Sequence, residues 1–213
     1  MPPNTGTRPR RQNAPRRASF FYRHFQDHDG NPGLSVWCGL CSLPPLFSFQ
    51  VYITYDLSEA EKSDLEALAK RLLNKLLDPS IGVFMIRLDV HILGPGATTE
   101  DCVASFRRAK QAPSDDPSMH IVPSYVASDY HYYHCFFFKV SSPDWERNET
   151  GLTSVSFEPA CPDDVTDDRA FVEEAMSIDE AQEGTSYLYG CSSFKEDCKA
   201  VYEAAQAAGL TEW

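Results

Sequence analysis

Hydrophobic residues recur along the chain with two periods, and each period predicts a different kind of element. In residues 83–93 (VFMIRLDVHIL) every second position is apolar, which predicts a strand with one wholly apolar face. Residues 50–55 (QVYITY) are β-branched and aromatic and predict an earlier strand. Between them, residues 58–76 place leucines at helical spacing behind a Ser-x-x-Glu capping box, so a helix is expected there.

The rest of the pattern completes the order of elements. A second Ser/Thr-x-x-acid start favours a helix from residue 98, and the C-terminal half alternates short apolar runs with acidic connections. The remaining expected elements are strands at 119–126, 130–140 and 152–157, a short helix at 168–176, a strand at 185–189 and a helix from 193. The order β-α-β-α-β-β-β-α-β-α predicts an α/β or α+β fold, with a single mixed β-sheet and flanking helices.

The first 46 residues differ from this pattern. They begin with a leader rich in proline and arginine and continue into an uncharged stretch without clear periodicity. We therefore expect residues 1–46 to be a disordered leader and linker outside the fold, and residues 47–213 to form one α/β domain. A second interpretation of the uncharged residues 34–49 is that they are translated non-coding sequence.

Charge is distributed unevenly and changes the expected partners. The net charge is −12, yet the first 26 residues hold six arginines and no acid, which leaves a balance of −18 on the remainder. Phosphate backbones repel such a surface, so the folded part is not expected to bind nucleic acid. An acidic surface suits a basic protein partner.

Cysteine usage and hydropathy indicate the compartment. The seven cysteines are odd in number and irregular in spacing, which favours a reducing environment and a cytoplasmic protein. The basic leader leaves nuclear or mitochondrial localisation as alternatives. Residues 30–55 carry no charge, but Pro44 and Pro45 interrupt them, so no membrane span is favoured.

The letters WCGLC, with Cys38 and Cys41, resemble the redox site of the thioredoxin family. In that family the pair follows a buried strand and opens a helix, whose N-terminus stabilises the reactive thiolate. Here two prolines follow the pair, and it precedes the first predicted strand. A thiol-disulfide oxidoreductase is therefore an alternative and not the leading hypothesis. A zinc site would need a second ligand pair, so no metal is predicted.

Two polar groups are the candidate binding residues. Arg87, Asp89 and His91 share one face of a predicted strand, where a carboxylate could orient an imidazole for proton transfer; a solvent-facing or ion-paired row is the commoner arrangement. His131 and His134 lie in another predicted strand on opposite faces, so they cannot hold one ion. No cofactor motif occurs, and no cofactor is predicted.

Three short segments carry a resemblance to a known family. These are Thr54-Tyr55-Asp56-Leu57-Ser58, the segment from Gly96 to Glu100 and the helix start Ser193-Phe194-Lys195-Glu196. Together they resemble a family of small uncharacterised α/β domains from fungi and actinobacteria. The resemblance implies a compact α/β domain and no particular activity, and the chain departs from the family in its leader and insertions.

These observations favour a small acidic intracellular domain that acts as a non-catalytic protein-interaction module. Signatures of common hydrolases, metalloproteases and kinases are missing from the sequence. The first alternative is an enzyme that uses Arg87, Asp89 and His91, and the second is an oxidoreductase that uses Cys38 and Cys41.

Overall fold

A computed structural model describes seven stretches of the chain: residues 19–27, 29–39, 47–77, 86–111, 136–147, 151–158 and 170–190. The strands in these stretches are β1 (Ser19–Gln26), β2 (Pro32–Gly39), β3 (Phe47–Ile53), β4 (Ile86–Ile92), β5 (Phe136–Val140), β6 (Leu152–Glu158) and β7 (Ala170–Met176). The helices are α1 (Glu59–Ser63), α2 (Leu65–Leu76), α3 (Thr99–Gln111) and α4 (Ile178–Gly190).

All seven strands join one mixed sheet in the order β1-β2-β4-β3-β5-β6-β7. The central strands β4, β3 and β5 are parallel, whereas β1-β2, β2-β4, β5-β6 and β6-β7 pair antiparallel. The predicted fold class, a single mixed sheet with flanking helices, is confirmed.

Helices lie on both faces of this sheet, and apolar side chains of the central strands pack against each helical layer. On the first face, the leucines of α2 pack against Leu88 and Val90 of β4. On the second face, Cys102 and Phe106 of α3 pack against β3, β5 and β6. The parallel strands are thereby sealed from water across the middle of the sheet.

The capping signals in the sequence mark three helix starts in the structure. Ser58 accepts from the backbone N–H of Glu61, whose carboxylate accepts from the backbone N–H of Ser58 in return. The pairs Thr98/Asp101 and Ser177/Glu180 repeat the same reciprocal bonds before α3 and α4. Each pair satisfies two amides that have no partner within the helix.

The expected boundary at residue 47 is wrong for residues 19–39, because two strands of the sheet lie there. β1 and β2 form a hairpin whose turn is held by Asp27, which accepts from the backbone N–H of Asn31. β2 then pairs with β4 over Gly33–Trp37, and Val36 and Trp37 are buried. The interpretation of residues 34–49 as non-coding does not fit this placement, since the uncharged residues of β2 belong to the core.

Two predicted elements near the C-terminus have the opposite type. Residues 170–176 form β7 instead of a helix, with Phe171 and Met176 packed against opposite faces of the sheet. Residues 185–189, predicted as a strand, continue α4, where Thr185 donates to the backbone carbonyl of Leu76. The expected strand at 119–126, the start of the expected strand 130–140 and the expected helix from 193 lie outside the described residues.

No helix in the described stretches is both long and apolar enough to cross a membrane.

Candidate functional site

Arg87, Asp89 and His91 lie on the face of β4 opposite α2, and all three are buried. Their exposed fractions are 7%, 4% and 4%, so they do not form a solvent-facing row. The alternation of β4 sends its apolar residues toward α2 and these three polar side chains the other way. The structure thus brings the three predicted residues together inside the protein, where each polar group needs a partner.

Two residues that the sequence analysis did not single out provide those partners. Ser35 of β2 and Gln50 of β3 flank Asp89 directly in the sheet register. We call Ser35, Gln50, Arg87, Asp89 and His91 the buried polar row. Gln50 could have been found as the polar residue in the QVYITY run, whereas Ser35 lay in a stretch expected to be outside the fold.

Asp89 is the centre of the buried polar row. Ser35 Oγ donates to its Oδ1 over 2.6 Å, while Gln50 Nε2 and Arg87 Nη2 donate to its Oδ2 over 3.2 Å and 3.0 Å. Arg87 Nε lies 2.9 Å from Oδ1, so both carboxylate oxygens of Asp89 lie close to the guanidinium. Burial alone would raise the pKa of Asp89, but Arg87 and these hydrogen bonds outweigh burial and hold the pKa below its usual value.

His91 is joined to Asp89 through Gln50. The Gln50 amide group donates to Asp89, so its Oε1 accepts from His91 Nε2, 2.6 Å away. The imidazole stacks on Tyr52 with ring centroids 4.7 Å apart and meets the edge of Phe25 at 5.1 Å. Burial lowers the pKa of His91 to about 4, so the ring is neutral near pH 7.

The neutral imidazole presents one nitrogen as an acceptor. With its proton on Nε2, His91 keeps a lone pair on Nδ1, and this atom is buried with no hydrogen-bond partner among the described residues. The Phe25 ring lies directly over Gly33, where an added Cβ atom would collide with it. Phe21 stacks on Trp37 at the other end of the row. Aromatic rings therefore border the buried polar row at both ends.

The arrangement limits the chemistry of the row. A pKa of about 4 makes His91 a weak base at neutral pH. Ser35 donates to Asp89 and not to His91, so the hydroxyl is not placed as a nucleophile activated by the imidazole. The hydrogen bonds instead join β2, β4 and β3 across the sheet, as expected of a buried structural network.

Cys38 lies inside β2 and not at the start of a helix. Its side chain is buried on the first face of the sheet, in the core that α2 covers. Burial raises the pKa of its thiol, although Lys70 acts in the opposite direction. Its predicted redox partner, Cys41, lies outside the described residues.

His131 and His134 also lie outside the described residues. In the part of the chain that the structure describes, no group of three or more histidine, cysteine and acidic residues is placed to hold a metal ion.

Among the described residues, β1 and β7 are the outermost strands of the sheet, and their exposed side chains differ in charge. On β7, Val172, Glu173 and Glu174 are exposed, and Val172 is 50% exposed; we call these three residues the acidic edge. The exposed charged or titratable residues of β1 are Arg23 and His24. The acidic edge is not apparent from the sequence, because the pattern of residues 168–176 predicts a helix and not an edge strand.

No protein-family model, no curated protein and no solved structure matches this chain. The resemblance to small α/β domains therefore stays a prediction.

Proposed function

We propose that this protein is a non-catalytic protein-interaction module that binds a basic, extended segment of a partner protein along the acidic edge. The observation that carries the proposal is the exposure of Val172 beside two acids on the last strand of the sheet. Among the described residues, no other large hydrophobic side chain is exposed to this degree.

The backbone of β7 provides the first part of the binding surface. Along its whole length β7 pairs antiparallel with β6, from Ala170 to Met176. Within the described stretches the sheet ends at β7, so the outer N–H and C=O groups of the strand point away from the sheet. Extended peptides add to such edges through main-chain hydrogen bonds, and the side chains beside the edge then select the sequence.

The side chains of the acidic edge provide the selectivity. Glu174 and Val172 lie on the first face of the sheet, and Glu173 lies on the second face, 3.3 Å from Lys139 Nζ. Asp179, Glu180 and Glu183 of α4, the helix that follows β7 in the chain, are also exposed. A peptide that alternates basic with β-branched residues can place its basic side chains beside Glu173 on the second face and its β-branched side chains beside Val172 on the first face.

Two alternatives use other residues. An enzyme using Arg87, Asp89 and His91 would need a free base, and the low pKa of His91 and the ion pair of Asp89 weigh against this role. An oxidoreductase using Cys38 would need a stable thiolate, and the raised pKa of the buried thiol weighs against that role.

The proposal is tested with two synthetic peptides of eight residues, one alternating arginine with threonine and the other alternating glutamate with threonine. Calorimetric titration should detect binding of the arginine peptide only, and higher salt should weaken it. The double variant Glu173→Lys/Glu174→Lys should lose at least tenfold in affinity for the arginine peptide.

A matched control is Glu59→Lys/Glu66→Lys on α1 and α2, which makes the same change in net charge away from β7. This control should bind the arginine peptide as the unaltered protein does. Equal loss in both double variants, or equal affinity for both peptides, would mean that general charge attraction and not the acidic edge binds the peptide.

A further inference from the structure

We infer that β1 of a second copy of this chain is a partner of the acidic edge, so that copies associate head to tail with their sheets continuous. The inference rests on the proposed function of β7 as a binding edge. It follows from the directions, faces and charges of the two terminal strands.

The strand directions permit the pairing. Following the pairs from β1 through β2, β4, β3, β5 and β6 to β7 shows that β1 and β7 run in the same direction. A second copy placed beside the first in the same orientation therefore sets its β1 parallel to β7. This arrangement needs no rotation of the copy beyond the ordinary twist of a sheet.

The faces of the two strands match in one register. On β1, Phe20 and Tyr22 pack toward the face that α2 covers, and Phe21 toward the opposite face. On β7, Met176 and Phe171 mark the same two faces. If Arg23 lies opposite Glu173, every side chain of β1 faces the same side as its partner on β7.

In that register the chemistry of each opposed pair is favourable. Phe21 lies opposite Phe171, Tyr22 opposite Val172, Arg23 opposite Glu173 and His24 opposite Glu174. The first three of these are an aromatic, an aromatic–β-branched and an opposite-charge pair, which are combinations that stabilise neighbouring strands.

Other registers lose these matches. A slip by one residue turns every apolar side chain to the wrong face. A slip by two residues keeps the faces but sets Arg23 opposite Phe171 or Ala175, so the charged pair is lost. Pairing β7 with β7 of another copy would bring Glu173 and Glu174 close to their own counterparts, and like charges repel.

The symmetry of the contact determines how it grows. Because β1 and β7 are different surfaces, the contact is heterologous and each added copy exposes a new β1 and a new β7. Association should therefore increase steadily with protein concentration and should weaken with added salt. A closed dimer is not expected.

The test uses the full chain and two charge-reversal variants in sedimentation velocity over a range of concentrations at low salt. The unaltered protein should form a distribution of species that shifts to larger sizes with concentration. Arg23→Glu alone and Glu173→Arg alone should each weaken association at least tenfold, because each sets like charges opposite one another. Circular dichroism of both variants should match the unaltered protein.

Mixing the two variants is the decisive measurement. In the mixture, the unaltered Glu173 of the first variant meets the unaltered Arg23 of the second. At the next contact the two introduced side chains meet, and they also carry opposite charges, so association should return. Failure of the mixture to associate, or a monomeric unaltered protein up to about 1 mM, would overturn the inference.

The arginine peptide separates this inference from the proposed function. A protein that stays monomeric yet binds the peptide retains β7 as a binding edge and loses only the second copy as its partner. A protein that neither associates nor binds the peptide would contradict both the head-to-tail association and the proposed function of β7.

Discussion

The Nε2 atom of His91 lies 2.6 Å from Oε1 of Gln50, and this one contact joins the imidazole to the buried ion pair of Arg87 and Asp89. Gln50 lies on β3 and the other three residues on β4, so the hydrogen bonds cross the parallel part of the sheet. The stability of the sheet should therefore depend on the protonation of His91.

The first prediction concerns this pH dependence. The pKa of His91 is lowered to about 4 in the folded protein, against 6.5 as its ordinary value. Between these values the unfolded chain binds the proton and the folded chain does not. The free energy of unfolding should thus fall by about 3 kcal/mol as pH drops from 6.5 to 4, measured by urea denaturation at several pH values.

His91→Gln should remove most of this slope, because the titrating group is gone. His24→Gln, a change at an exposed histidine on β1, should keep it. Asp89 contributes little in this window, since most of the stability that its lowered pKa provides is lost below the ordinary aspartate value of about 3.9. An unchanged slope in His91→Gln would assign the effect to other groups.

The second prediction concerns the buried ion pair. Asp89→Asn removes the carboxylate that pairs with Arg87 inside the protein, and the loss of this buried ion pair should lower the free energy of unfolding by about 3–5 kcal/mol. Asp56→Asn removes a carboxylate that is 73% exposed and 3.4 Å from Lys62. This variant should therefore lower the free energy of unfolding by only about 0–1 kcal/mol. Similar urea midpoints for both variants would contradict the prediction.

The third prediction compares two glycines. A Cβ at Gly151 would lie 2.7 Å from the backbone Cα of Trp145, and this backbone cannot move aside like a flexible side chain. Gly151→Ala should therefore destabilise the fold by about 1–3 kcal/mol. Gly184 lies inside α4 with open space around it, so Gly184→Ala should stabilise by about 1 kcal/mol. Thermal unfolding of both variants gives the two signs directly.

The fourth prediction concerns thiol reactivity. Cys38 and Cys102 are buried, and burial raises both pKa values, that of Cys102 to about 12. A short exposure of the native protein to iodoacetamide at pH 7.5 should leave both unmodified by site-resolved mass spectrometry, whereas urea should expose both. Fast modification of Cys38 in the native protein would restore the oxidoreductase alternative.

Patterns that combine period and capping were enough to predict the centre of the fold. The leucines of α2 and the alternation of β4 identified both elements, because one face of each is apolar and its counterpart is polar. Arg87, Asp89 and His91 were found for the same reason. Their burial could not be predicted, since it depends on strands that pair with β4 from distant parts of the sequence.

The errors have physical causes as well. β2 holds Gly33, Trp37 and Cys38 in an uncharged run, and burial on both sides leaves such a strand without an alternating pattern. Residues 170–176 contain two adjacent glutamates and two alanines, which favour a helix locally, but pairing with β6 overrides this preference.

The position of β2 has a consequence for any shortened form of the protein. A chain trimmed to begin at residue 47 would lose the hairpin that pairs with β4, so β4 would become an unpaired edge of the sheet. The buried arginine and aspartate of β4 would then be open to water. Such a fragment should aggregate or stay unfolded, so the two strands before residue 40 are needed for the domain to exist alone.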